Sequence, residues 1–158
     1  MSDTLIHIDM ASDVQSYIPS SEHITKWSLA ALMTDEPVEI NIRIMHSDEM
    51  RQLNATFRQQ NKPTNVLSFP AQLPEHVELN LMLLGDIAIC ADIIAQEANE
   101  QHKDPDAHWA HIVIHGCLHL QGYDHIDEDD AIKMEILENR IITSLHFSPP
   151  YDELKQVT

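Results

Sequence analysis

Glycine is scarce in this chain, three residues in 158, and cysteine scarcer, with two. Cys90 and Cys117 lie far apart and match no zinc-finger or redox spacing, so no disulfide framework is indicated, as suits a reducing cytosol. No stretch approaches the roughly 18 apolar residues of a membrane span. The opening residues Met-Ser-Asp-Thr lack a basic region followed by an apolar run, so no secretory signal is expected. Basic residues are few as well. Nine Lys and Arg stand against 26 Asp and Glu, a formal charge of −17, which argues against a broad nucleic-acid-binding surface. An RNA substrate would have to be met locally, by the few Arg and Lys residues or by a metal ion. The expectation is a cytoplasmic, soluble protein with no membrane partner.

Histidine, by contrast, is abundant at eleven residues. Gly116 and Gly122, two of the three glycines, fall inside the densest histidine run, and Gly85 is the third. The length suits one domain with a core of its own, and no repeat, low-complexity tract or linker divides it. Residues 1–148 are therefore expected to form the domain, with 149–158 as a tail, loose beyond Pro149-Pro150.

Hydrophobic periodicity predicts the elements. Leu5 to Met10 and Val38 to Met45 alternate as half-buried strands, with Val38, Ile40, Ile42 and Ile44 pointing one way. Ser20 or Ser21 can cap a helix over about 22–33 that buries Ile24, Trp27, Ala31 and Leu32. Ser47, followed by Asp48 and Glu49, starts a helix that turns Met50, Leu53 and Phe57 inward and ends near Arg58. Asn65–Phe69, closed by Pro70, and Leu83–Cys90 read as strands, separated by a loop containing Pro74. Helices are expected from Asp92 to about His102, from Pro105 to Leu120 with a stop at Gly122, and from Glu128 to Leu145. The fold class is α/β (α+β): a single domain with a mixed, roughly four-stranded sheet covered by helices.

His115 and His119 are four residues apart, which on a helix places their rings about 40° apart and one turn apart along the axis. Two imidazoles so spaced can converge on one ion. Gly122 can take the left-handed conformation that ends a helix, and the turn would bring His125 round as a third ligand. Three protein ligands leave a fourth position open, as in catalytic rather than structural zinc sites. The histidine spacing alone would arise in roughly 5% of chains this rich in histidine; adding the glycine lowers this to about one in a thousand, so the pattern carries weight. It is also the spacing of H-E-x-x-H-x-x-G-x-x-H metalloproteases, whose glutamate is the general base. Here that position is Gly116, which cannot move a proton. The ion is kept, the protease's base is lost, and proteolysis is disfavoured.

The run His115-Gly-Cys-Leu-His-Leu-Gln-Gly-Tyr-Asp-His125 resembles the H-G-x-L-H-L-x-G-Y-D-H signature of the YbeY family of bacterial metal-dependent endoribonucleases. So do Leu53-Asn54, Phe57-Arg58, Lys62-Pro-Thr-Asn-Val-Leu-Ser-Phe-Pro70, Leu84-Gly-Asp-Ile87 and Ala107-His-Trp-Ala-His111, in the family's order and covering most of residues 35–145. Asn65 stands where many members have Asp, and His146 where glycine is common. The resemblance implies that His115, His119 and His125 bind one Zn²⁺ per chain, on the long helix and the turn after it, and that Arg58 is required for activity. It further implies a single-strand-specific endoribonuclease that matures the 3′ end of small-subunit (16S) rRNA and serves ribosome quality control, with ribosomal RNA and ribosome-associated proteins as partners. The competing readings are a non-catalytic, zinc-stabilised ribosome-assembly factor and, behind it, a metalloprotease.

Arg58 would act as a fixed positive fork on a phosphate, and Lys62 is a weaker candidate of the same kind. His111 and His108 extend the histidine stripe and could contact substrate, hydrogen-bond the site, or be partly buried helix residues. Asp124 and Asp86 are candidates to orient a ligating histidine. Cys117 lies roughly 200° round the helix from His115 and should pack in the core. The acidic run Asp127–Asp130 reads as a helix first turn. No residue identifies itself as the general base, and attack by water or by the RNA's own 2′-hydroxyl is equally compatible with this set.

Overall fold

A computed structural model describes residues 3–71, 82–124 and 126–151. The expected Pro74 loop, His125 and the end of the tail lie outside the described residues. In chain order the elements are β1 (Leu5–Met10), α1 (Ser21–Ala30), β2 (Val38–Met45), α2 (Ser47–Arg58), β3 (Val66–Pro70), β4 (Met82–Cys90), α3 (Ala91–Glu100), α4 (Pro105–Leu120) and α5 (Glu128–Ser144). The four strands form one mixed sheet in the order β1-β2-β4-β3, with β3 alone antiparallel to its neighbour. The architecture is α+β, as the patterning predicts.

Strand alternation sorts the side chains between the two sheet faces. Ile40, Ile42, Ile44, Ile87 and Ile89 are buried on one face against Ile24 and Trp27 of α1 and Trp109, Val113 and Leu118 of α4. The other face carries a smaller cluster, Met45, Met50, Leu67, Ala88 and Cys90, under α2. Burying an Ile or Leu side chain is worth about 1.5–3 kcal/mol, so the larger face dominates stability.

α4 is the organising element. Asp104 caps it, accepting from Asp106 N, and Pro105 opens it, where a missing N–H costs nothing. It touches α1, α3, α5, β3 and β4, and beyond its first turn only His111, His115 and His119 stay partly open. Gly116 lets it lie close on the sheet: a Cβ there would come within 3.1 Å of Ile87 Cγ2 and 3.4 Å of Val66 Cγ2. The residue that replaces the protease's base thus faces the sheet, not the histidines.

Three local expectations shift. α1 ends at Ala30, earlier than about 33, because tertiary bonds take over: Gln121, just past α4, donates to Ala31 O at 2.8 Å and accepts from Met33 N at 2.7 Å. His46, not Ser47, caps α2, accepting from Asp48 N at 3.0 Å, while Ser47 bonds Asp92 through both its amide and hydroxyl. Phe57 does not turn inward. It is 56% exposed and meets Phe69 edge-on at 5.2 Å, while Asn54, buried one turn beyond Met50, uses its amide to hold Lys62 O at 2.8 Å.

Candidate metal centre

Along α4 the histidines at 108, 111, 115 and 119 form a stripe against α3 and α5. Nε2 of His115 and Nε2 of His119 are 3.0 Å apart. Two nitrogens each about 2.0–2.1 Å from a tetrahedral zinc lie about 3.3 Å apart, so this pair fits an ion with little movement. Gly122, at φ 97°, ends the helix as expected; a Cβ there would touch nothing, so the backbone conformation, not space, calls for glycine. The next turn is closed by Tyr123 N bonding Leu118 O at 3.1 Å. Asp124 Oδ1 accepts from Ile126 N at 3.2 Å, an Asx-type bond that engages its carboxylate locally.

The opposite edge of the His115 ring meets a residue that is not among the candidates drawn from the sequence. Glu138 of α5 is 1% exposed, and its Oε1 lies 3.2 Å from His115 Nδ1. Its Oε2 lies 2.5 Å from His111 Nε2 and 3.3 Å from the hydroxyl of Tyr151. Burial alone would raise the Glu138 pKa, but the hydrogen bonds from His111 and His115 outweigh it and hold the carboxyl down at about 2. Burial and the Glu138 charge push the Tyr151 hydroxyl up, keeping it a donor. His111, His115 and Glu138 each offer a donor atom within 4.8 Å of the others and are positioned to bind a metal ion. The signal for Glu138 was in the pattern: it sits four residues after buried Met134 and three before buried Ile141, on the face of α5 that should be apolar. Tyr151 falls within the expected tail, yet it is fastened to Asn139, whose amide donates to Tyr151 O and whose Oδ1 accepts from Tyr151 N.

His108 is not at the centre. It is buried and bonds Glu97 of α3 at 2.9 Å, which holds the Glu97 carboxyl below its ordinary range. Asn65 donates to the same carboxylate at 3.1 Å, which an aspartate at that position could not do without a proton.

A groove of about 750 Å³ runs over the His115–His119 edge, and Arg58, Lys62, Ser68 and Asp124 line it. Arg58, the last residue of α2, is exposed and reaches Ser68 O at 3.5 Å. Arg43 is paired with Asp9 and Glu49 and Arg51 with Asp48, whereas Arg58 and Lys62 form no ion pair among the described residues. Their charge is therefore available to an anion. The structure does not bring Asp86 here. Alternation along β4 puts it on the other sheet face, where it accepts from Asn41 at 3.1 Å in a separate groove. Cys117 is fully buried in the core, as its position on the helix predicts, and burial pushes its thiol pKa up to about 12.

The family model described as "Endoribonuclease YbeY" matches residues 7–146. The chain is 48% identical over 155 residues to the Endoribonuclease YbeY of Cellvibrio japonicus (strain Ueda107), an alignment covering 97% of this chain and 86% of that protein. It also resembles the solution structure of TM1509 from Thermotoga maritima, with a TM-score of 0.55 and 25% identity over 94% of this chain and 99% of that one.

Proposed function

The chain belongs to the YbeY endoribonuclease family, and from that premise we propose that it is a zinc-dependent endoribonuclease that cuts single-stranded ribosomal RNA. The observation that carries this reading is the shared groove: the converging imidazoles of His115 and His119 line the same groove as Arg58 and Lys62, which form no ion pair among the described residues. His125 is the third ligand in this reading. Imidazole donors suit zinc, and the bound ion would polarise the scissile phosphate or acidify the attacking group, whether water or the RNA's own 2′-hydroxyl.

The protein's own residues do the rest. The planar guanidinium of Arg58 binds a scissile phosphate through two parallel N–H donors and steadies the charge that develops on it. Lys62 holds a neighbouring phosphate as a point charge. With a net charge of −17 around so small a basic patch, a duplex would be repelled along its length, whereas a short single strand needs only local contacts. The 3′ end of small-subunit (16S) rRNA is such a strand, and a ribosome or ribosome-associated protein in the cytoplasm would supply the affinity that the acidic body cannot. The non-catalytic reading, an assembly factor stapled by its ion, draws on one observation: the Glu138 contacts tie α4 to α5 beneath His115.

The test is zinc content and cleavage of single-stranded ribosomal RNA, of the same sequence as duplex, and of a peptide library, for wild type, Arg58→Ala and His119→Ala. Cleavage confined to single-stranded RNA, lost in both variants, with zinc lost in His119→Ala alone, is expected. RNA cleavage unaffected by both changes overturns the nuclease reading, and peptide cleavage would restore the protease.

A further inference from the structure

We propose that Glu138 is a positioning residue, whose buried carboxylate accepts a hydrogen bond from Nδ1–H of His115 and so leaves the lone pair of Nε2 facing the ion. This rests on the reading that His115 and His119 hold that ion. A carboxylate has no proton to give, so the 3.2 Å contact to His115 Nδ1 requires the ring to donate. In a neutral imidazole the other nitrogen then carries the lone pair, and it is Nε2 that lies 3.0 Å from His119. Metal-ligating histidines are typically oriented by such an acceptor.

The carboxylate is itself held in place. A buried charge without donors costs several kcal/mol. Glu138, 1% exposed, receives one from His111 Nε2 and one from Tyr151 as well as that of His115. A second observation agrees on the proton positions. His111 Nδ1 is buried with no hydrogen-bond partner among the described residues, which is tolerable for a bare acceptor and costly for an N–H, so the His111 proton belongs on Nε2, facing Glu138. Tyr151 is kept in register by its paired bonds to Asn139. The last turns of α5 and the segment after it are thus part of the device that aims His115, which no residue of the histidine motif reveals.

The experiment combines zinc affinity of the full chain, measured against a competing chelator, with nitrogen-15 NMR of the histidine rings in zinc-free protein. Glu138→Gln, which keeps shape and loses charge, is expected to weaken zinc ten- to a hundredfold, and Tyr151→Phe by a smaller factor. In wild type the His115 ring is expected to be protonated on Nδ1. Affinity in Glu138→Gln within twofold of wild type overturns the proposal, and so does a wild-type His115 protonated on Nε2, a readout that stands even if the variant fails to fold. His119→Ala separates the two levels. Zinc lost in His119→Ala but kept in Glu138→Gln sinks the positioning role alone. Zinc kept in His119→Ala yet lost in Glu138→Gln makes Glu138 a ligand with His111 and His115, and overturns the proposal together with the reading beneath it.

Discussion

The hydroxyl of Ser68 donates to the carbonyl of Gly116 at 3.2 Å, fastening β3 to the middle of α4 one residue after His115. Arg58 leans on the carbonyl of the same serine. One strand residue therefore links the basic end of α2 to the helix that carries the histidines. The close seat of α4 on the sheet makes that link possible.

Gly116→Ala should loosen this seat. The added methyl crowds Ile87 and Val66, an overpacking cost of about 1–3 kcal/mol, against a gain in helix propensity of about 1 kcal/mol. The net is a destabilisation of about 1 kcal/mol, read as a fall in melting temperature of about 2–4 °C. An unchanged or raised melting temperature would show that the helix does not depend on this close approach.

Arg58→Ala should lower RNA cleavage by about 10²–10³-fold, the usual cost of removing one donor to developing charge. Zinc content and melting temperature should not change, because the side chain is exposed and makes one long contact. Arg58→Lys should recover only part of the loss, since an ammonium cannot form the fork. Lys62→Ala should weaken RNA binding and reduce the salt-dependence slope by about 0.7, the value for one single-strand phosphate contact. A slope unchanged in Lys62→Ala would remove it from the RNA path.

Acid stability of the zinc-free protein should report on Glu138. Its carboxyl is held at about 2 in the fold, against an ordinary 4.5. The unfolded chain therefore binds more protons across that window, and stability rises with pH through it. The contribution, up to about 3 kcal/mol, is full above about 4.5 and is lost as pH falls toward 2. Denaturant titrations at stepped pH should show a shallower acid limb in Glu138→Gln than in wild type; equal slopes would mean that the carboxylate is not charged in the fold.

His146 adopts φ 70°, in the left-handed region, just after α5. That conformation predicts that His146→Gly relieves strain. The expected gain is about 0.5–1 kcal/mol, seen as a raised denaturation midpoint with activity unchanged. A lowered midpoint would mean that the histidine side chain stabilises this end.

The elements were legible because their signals are local. The alternation from Val38 to Ile44, the proline at 105 and the glycine at 122 each act over a few residues, and the His115–His119 pair follows from one turn of helix. What was not legible depends on contacts far apart in sequence. Phe57 leaves the core to meet Phe69 on another element, α1 stops early because Gln121 binds Ala31 and Met33, and Asp86 lies on the other sheet face through strand phase. Glu138 belongs to the centre only because α5 packs back onto α4. A glutamate on an apolar helix face signals a buried partner, but not which partner.

The most direct test of the account is a titration of zinc-free protein with zinc, following cleavage of single-stranded ribosomal RNA in the same samples, for wild type and Arg58→Ala. Wild-type cleavage is expected to rise with occupancy and saturate at one zinc per chain, while Arg58→Ala fills equally and cleaves about 10²–10³-fold less. Full cleavage without zinc, or from zinc-loaded Arg58→Ala, would contradict the account.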